Sequence, residues 1–377
     1  MKLEGFRVLD LSMFLPGPYL TTAMADHGAE VIRIEPPTGE PSREIGKSEG
    51  DLTVWFRNTH RGKRSVVLDL KRREGVDAFL RLASESDVVL ESFRPGTVDR
   101  LGVGYEAVRA VNPRVVYCAI SAFGQTGPKA GRIAHDLSIQ ADTGLVSLSR
   151  TPDGQHALPC MPAADMAGSF AALSAILMAL LRREKTGRGD YIDISMQDSL
   201  ASWTVNVVSP VFAEDRELDT TQERSLGGAA FYNLYPCADG RVLSLGGSEV
   251  KFAANLLNAL GRPDLIDLCR QPPGDAQRPV REFLAQTFAA QPLAHWEAFL
   301  SRLDVCWAPV RGLKEALSSE HLAARDMVIR TPEGHGMLGT PLRFRDEPGR
   351  VSHHAPALGE HTREVLSRTP GSTDISR

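Results

Sequence analysis

The chain has 377 residues, 42% hydrophobic and 24% charged, with a formal net charge of −4. That length allows one large domain or two modest ones with a sizeable core. The slightly acidic balance argues against general binding to nucleic acid or a membrane surface, while leaving room for a local basic pocket.

The start, MKLEGFRVLDLS, lacks the basic opening and long apolar run of a signal peptide. Short β-branched runs then recur at 8–12, 30–35, 65–70, 87–92, 114–121 and 191–196, the texture of strands buried on both faces. Helix-like segments lie between them, at Tyr19–His27, Arg73–Glu85 and Tyr105–Val111. This alternation predicts an α/β fold, a mostly parallel sheet with helices on both sides. The longest apolar stretch, near 170–181, is broken by serines and ends in Arg182 and Arg183. It reads as too short and too polar to span a bilayer.

From Ala213 the texture changes. The polar run at 213–225 reads as a linker between a large domain at 1–212 and a smaller α+β domain at 226–320. The smaller domain opens with a hairpin around Asp239-Gly240. Residues 321–377, rich in Pro, Gly and His, are expected to return to the large domain, and the final STDISR reads as carrying no peroxisomal or lipidation signal. Cys118, Cys160, Cys237, Cys269 and Cys306 are odd in number and lack a C-x-x-C pair. They predict reduced, mostly buried thiols in a cytoplasmic protein.

Familiar cofactor signatures are missing. The turn after the first run is SMFLPGPYL, not G-x-G-x-x-G, and neither a Walker A nor a G-x-S-x-G motif occurs. The histidines lack metal-ligand spacing, so no metal is expected. His353 and His354 sit in a polar tail and read as solvated.

Four long segments carry a resemblance. They are LEGFRVLDLSMFLPGPYLTTAMADHGAEVIRIEPPTG from Leu3, NTHRGKRSVVLDLKRREG (58–75), SDVVLESFRPGTVDRLGVGYE (86–106) and REKTGRGDYIDISMQDS (183–199). In these the chain resembles the type III CoA-transferase (CaiB/BaiF) superfamily, which includes formyl-CoA transferase, carnitine CoA-transferase and α-methylacyl-CoA racemase. The resemblance implies a large Rossmann-like domain, a smaller domain, and a homodimer of interlocked chains with the active site shared between subunits. It implies an acyl-CoA substrate, with coenzyme A part of the substrate and no separate cofactor. By position it places Ser92 and Phe93 against adenine and ribose, and Lys71, Arg94 and Arg100 near the phosphates. CoA carries roughly four negative charges, and Arg or Lys answers them with charge-assisted bonds. Pro16-Gly17-Pro18 is a candidate to approach the pantetheine.

The same resemblance supplies catalytic candidates. Asp165, in PAADMAGSF, matches the nucleophilic aspartate of the transferases, which the racemase keeps as an acid–base group. His135 and Asp136, in AHDLSIQADTG, match the racemase's His-Asp pair, where formyl-CoA transferase has a tyrosine. Glu249, in LGGSEVKF, follows GGAAFYNLYPCADG (227–240) and matches a racemase glutamate, although the residues around it depart from the racemase pattern. Inverting a carbon α to a thioester requires one group to remove a proton and another, on the opposite face, to return one. A histidine suits this, and a carboxylate does so once burial raises its pKa. Asp165, placed just before a long apolar helix, is expected to lie near helix N–H groups that could hold an enolate oxygen. The leading expectation is therefore a racemase or epimerase of 2-methylacyl-CoA thioesters, in lipid metabolism. His135 and Asp165 are its two bases, Glu249 comes from the partner's smaller domain, and Asp136 is a supporting group. The alternatives are an acyl-CoA:carboxylate CoA-transferase using Asp165 as nucleophile, and a non-catalytic CoA-binding protein.

Overall fold

A computed structural model describes residues 1–151 and 153–368, so the C-terminal STDISR lies outside the described residues. The chain forms two compact units. Unit 1 holds Met1–Thr143, Pro159–Trp203 and the chain from Ser318 on, and unit 2 holds Gly144–Leu158 and Thr204–Leu317. Residues 213–225, read as a linker, lie inside unit 2, where Arg216 pairs with Glu214 and Glu223.

Unit 1 is built on six strands: β1 (Arg7–Asp10), β2 (Glu30–Glu35), β3 (Arg64–Val67), β4 (Val88–Glu91), β5 (Val116–Ser121) and β6 (Asp190–Ser195). All neighbouring pairs are parallel, in the order β3-β2-β1-β4-β5-β6. The six apolar runs are these six strands, and the mixed α/β fold expected from them is the fold observed. Leu9, Ile32, Val66, Val89 and Tyr117 share one core with Phe79, Leu82 and Val108. Those three come from α2 (Arg73–Ser84) and α3 (Tyr105–Val111). Residues of opposite parity, such as Val8, Val31, Val88 and Cys118, are equally buried, as a sheet covered on both faces requires.

The sheet order has a consequence for function. The chain runs outward from β1 through β2 to β3, then returns to place β4 on the other side of β1. Beyond the carboxyl ends of β1 and β4 the connections diverge and leave a crevice, the usual ligand position in open parallel sheets.

Two helices start earlier than the sequence pattern predicts. Helix α1 runs from Pro16 to Asp26, so Pro16-Gly17-Pro18 is its first turn and not a preceding loop. Proline is pre-organised for that position, where its missing N–H costs nothing. After α4 (Asp136–Asp142) comes α5 (Ala163–Thr186), whose 24 residues make it long and apolar enough to cross a membrane by length and composition. The apolar stretch read near 170–181 belongs to a helix that begins seven residues earlier, at Ala163, so length alone does not keep it out of a bilayer. In unit 1, α5 packs on α1, β5 and β6. The cysteines also differ from expectation: Cys118 and Cys237 are buried, but Cys160 and Cys306 are exposed.

Unit 2 carries an antiparallel sheet of β7 (Tyr232–Pro236), β8 (Val242–Gly246) and β9 (Trp307–Pro309), in the order β9-β8-β7. Gly240, at φ +76°, makes the turn between β7 and β8. The sheet is covered by α6 (Val250–Ala259), α7 (Arg278–Ala289) and α8 (Leu293–Leu300), around Leu243, Leu245, Phe288 and Trp296.

Candidate active site

Charge burial anchors the end of β1, from which one side of the crevice starts. Asp10 ends β1 fully buried, facing Lys63 Nζ at 3.0 Å and Arg33 Nη1 at 3.1 Å. Burial pushes the Asp10 carboxyl up, but Lys63 and Arg33 outweigh it and hold the group well below the carboxylate range. Lys63 is pulled down to about 8 by burial, against the opposing pull of Asp10. Lys63 also donates to Pro18 O at 2.9 Å and Thr21 Oγ1 at 2.7 Å, which locks the start of α1 to the end of β1.

At the carboxyl ends of the strands lies a cavity of about 520 Å³ in unit 1. Met13, Phe14 and Pro16 line it after β1, and Ser92, Phe93, Arg94, Thr97 and Arg100 line it after β4. Ser121 and Met196 come from the ends of β5 and β6, and Arg132, His135 and Asp165 complete the wall. One cavity therefore brings together Ser92, Phe93, Arg94, Arg100, His135 and Asp165.

Arg94 and Arg100 are exposed, and neither has an ion pair among the described residues. Two uncompensated guanidinium groups on a concave surface suit phosphate. Phe93 also lines a neighbouring cavity of about 170 Å³ with Leu68, Leu70 and Lys71. Lys71 thus stands next door and not in the main cavity. The Ser92 hydroxyl accepts the Met13 N–H at 2.8 Å, so it holds the opposite loop.

Asp165 occupies the third position of α5, inside its first turn, and not the position before the helix. Its carboxyl is pushed up to about 7, first by burial and then by the neighbouring charge of Asp136. Asp136 caps the same helix: its Oδ1 accepts the N–H groups of Ala164 at 2.8 Å and Asp165 at 3.1 Å. Gln140 Nε2 fixes the other oxygen at 2.5 Å. The N–H groups of Ala163 and Met166 go to Met161 O and Pro162 O. The donors expected to hold an enolate oxygen are thus all engaged, because a carboxylate from α4 satisfies the orphan N–H groups that a helix start presents.

His135 immediately precedes α4, with its side chain exposed on the cavity and edge-on to Phe14 at 5.6 Å between ring centres. Glu249 belongs to unit 2, where it directly precedes α6, exposed and making no side-chain cap. Sequence reasoning missed Met13, Phe14, Arg132 and Met196. All follow strand ends or precede α4, and the carboxyl ends of the predicted strands were the signal that pointed to most of them. Arg132 is paired with Asp142 at 3.2 Å, a carboxylate that Lys129 and Gln197 also hold.

The profile of CoA-transferase family III matches residues 3–362. Succinyl-CoA--D-citramalate CoA-transferase of Chloroflexus aurantiacus is 31% identical, over 99% of this chain and 95% of that protein. Human alpha-methylacyl-CoA racemase is 32% identical, over 97% and 93%. Most of the other similar proteins bear CoA-transferase names. Among solved structures, a CAIB/BAIF family protein from Brucella suis is 28% identical with a TM-score of 0.85, covering 97% of this chain and 99% of that one.

Proposed function

The chain belongs to CoA-transferase family III, and from that premise we propose that it inverts the α-carbon of a 2-methylacyl-CoA thioester by two-base proton transfer. His135 exchanges the proton on one face and Asp165 on the other. Arg94, Arg100 and Lys71 bind the CoA phosphates, and Phe93 meets the adenine.

The observation that carries this reading is the Asp165 carboxyl near 7, in one cavity with His135. At its ordinary value of 3.8 a carboxyl at neutral pH is protonated in only about one molecule in a thousand. Such a group accepts a proton but seldom has one to give. Near 7 both forms are abundant, and racemisation in two directions needs both. A nucleophile needs only the ionised form.

A second reading has its own support, since most of the named relatives are CoA-transferases. In it the Asp165 carboxylate attacks the thioester carbonyl, CoA leaves as the thiolate, and a mixed anhydride forms. The thiolate then attacks the anhydride at the Asp165 carbonyl and releases the first carboxylate, leaving an aspartyl-CoA thioester. We infer further that the chain works as an interlocked homodimer, with Glu249 of the partner's smaller domain placed beside His135. The exposed apolar side chains Phe170, Leu177, Met178 and Leu181 of α5 support association.

His135→Ala and Asp165→Ala test the assignment. Each is expected to abolish racemisation while keeping α-proton exchange on the face served by the remaining group. Near wild-type racemisation in His135→Ala would overturn the two-base reading and favour Asp165 as nucleophile.

A further inference from the structure

Within its own chain, His135 is aimed by a ring contact. Among the described residues its imidazole makes no side-chain hydrogen bond and no ion pair, and the ring it meets is that of Phe14. The two stand edge to face, 5.6 Å apart with an interplanar angle of 83°. That arrangement matches the positive edge of one ring to the negative face of another and fixes relative orientation.

Phe14 is itself held in an uncommon way. Its φ is +64°, a left-handed conformation that a bulky residue seldom adopts. Such a conformation persists when its surroundings over-determine it. Three side chains do so. Ser92 accepts the Met13 N–H at 2.8 Å, Arg33 donates to the Ser12 carbonyl, and Glu40 Oε1 accepts the Phe14 N–H at 2.8 Å. Glu40 is 2% exposed and has little freedom to move. Its Oε2 accepts the Ser42 N–H at 2.9 Å and the Ser42 hydroxyl, and its own N–H donates to Glu35 Oε2 at 3.1 Å. Glu35 is in turn clamped by Arg43. A rigid chain of contacts therefore runs from the end of β2 through Glu40 and the Phe14 backbone to the His135 ring.

We propose that Glu40 and Phe14 are positioning residues for proton exchange at His135, Glu40 by holding Phe14 in its left-handed conformation and Phe14 by orienting the imidazole. The proposal rests on the reading of His135 as one of the two exchanging groups.

The test uses Phe14→Leu and Glu40→Ala in the full-length protein. The first readout is the ring resonances of His135, assigned by their loss in His135→Ala. The second is deuterium exchange at the α-carbon, measured separately for each stereoisomer of a 2-methylacyl-CoA. Both variants are expected to move the His135 resonances. They should slow exchange on the His135 face by roughly tenfold to a hundredfold, the scale of a small misplacement of a reacting group. Exchange on the Asp165 face and affinity for free CoA should stay within about threefold, well short of that loss. Equal slowing on both faces would show a general structural defect and overturn the proposal, as would unmoved resonances in either variant. If Glu40→Ala does not fold, Phe14→Leu alone decides whether the ring contact orients His135. If the wild-type protein exchanges no α-proton, the racemase reading has failed, and the resonances still report whether Glu40 and Phe14 hold the ring.

Discussion

Replacing Asp165 with asparagine removes a charge while keeping the side chain's shape, and stability should respond in a direction that few active-site changes share. The carboxyl titrates near 7 in the fold against an ordinary 3.8. Below about pH 4 the folded and unfolded chains both carry the proton, and the group costs nothing. Between about 4 and 7 the folded chain keeps a proton that the unfolded chain has released, so stability falls as pH rises. Above 7 both are ionised, and the folded state bears the full penalty of burial and of repulsion from Asp136. Moving this carboxyl from 3.8 to about 7 corresponds to about 4 kcal/mol at most. Urea unfolding of Asp165→Asn and wild type, at equal protein concentration from pH 4 to pH 8.5, should show coincident stabilities at the acid end. The variant should be the more stable by up to about 4 kcal/mol at pH 8, while catalytically inactive. A difference that does not grow through this window, or a variant less stable at pH 8, would refute the perturbed carboxyl and the catalytic reading built on it.

Arg94→Ala and Arg100→Ala should each weaken free CoA by about 1–3 kcal/mol in calorimetry; unchanged affinity in both would put the phosphates elsewhere. Lys63→Ala should cost about 3–5 kcal/mol in chemical unfolding, because it removes one of the two cations facing the buried Asp10; a loss under about 1 kcal/mol would mean that Arg33 alone suffices for the carboxylate. Burial pushes the Glu91 carboxyl up to about 8, so Glu91→Gln should match wild type near pH 4, gain relative stability between about pH 4.5 and 8, and gain no more above that. An advantage that is constant with pH would contradict that assignment.

The strands of the large sheet were legible because each is a short β-branched run buried on both faces, and the alternation with helices announced a parallel sheet. The crevice was not, because it depends on β4 returning beside β1, a long-range pairing that no local pattern encodes. The resemblance carried Arg94, Arg100, His135 and Asp165 to one cavity, but it did not place Asp165 within its helix. Asp136 reads locally as the partner of His135. In the structure it caps α5, and Asp165 stands in the first turn with its N–H already engaged. Phe14 escaped notice for a different reason: a left-handed aromatic residue looks like any other apolar residue in a turn, and its anchor, Glu40, lies 26 residues away.

The central claim is proton exchange without a second substrate. One stereoisomer of a 2-methylacyl-CoA, incubated with the enzyme in deuterated water and with no free carboxylic acid, should acquire α-deuterium and appear as both stereoisomers. An unchanged α-proton, together with hydroxylamine trapping of an acyl group at Asp165 from the same thioester, would contradict the account and make CoA transfer the activity.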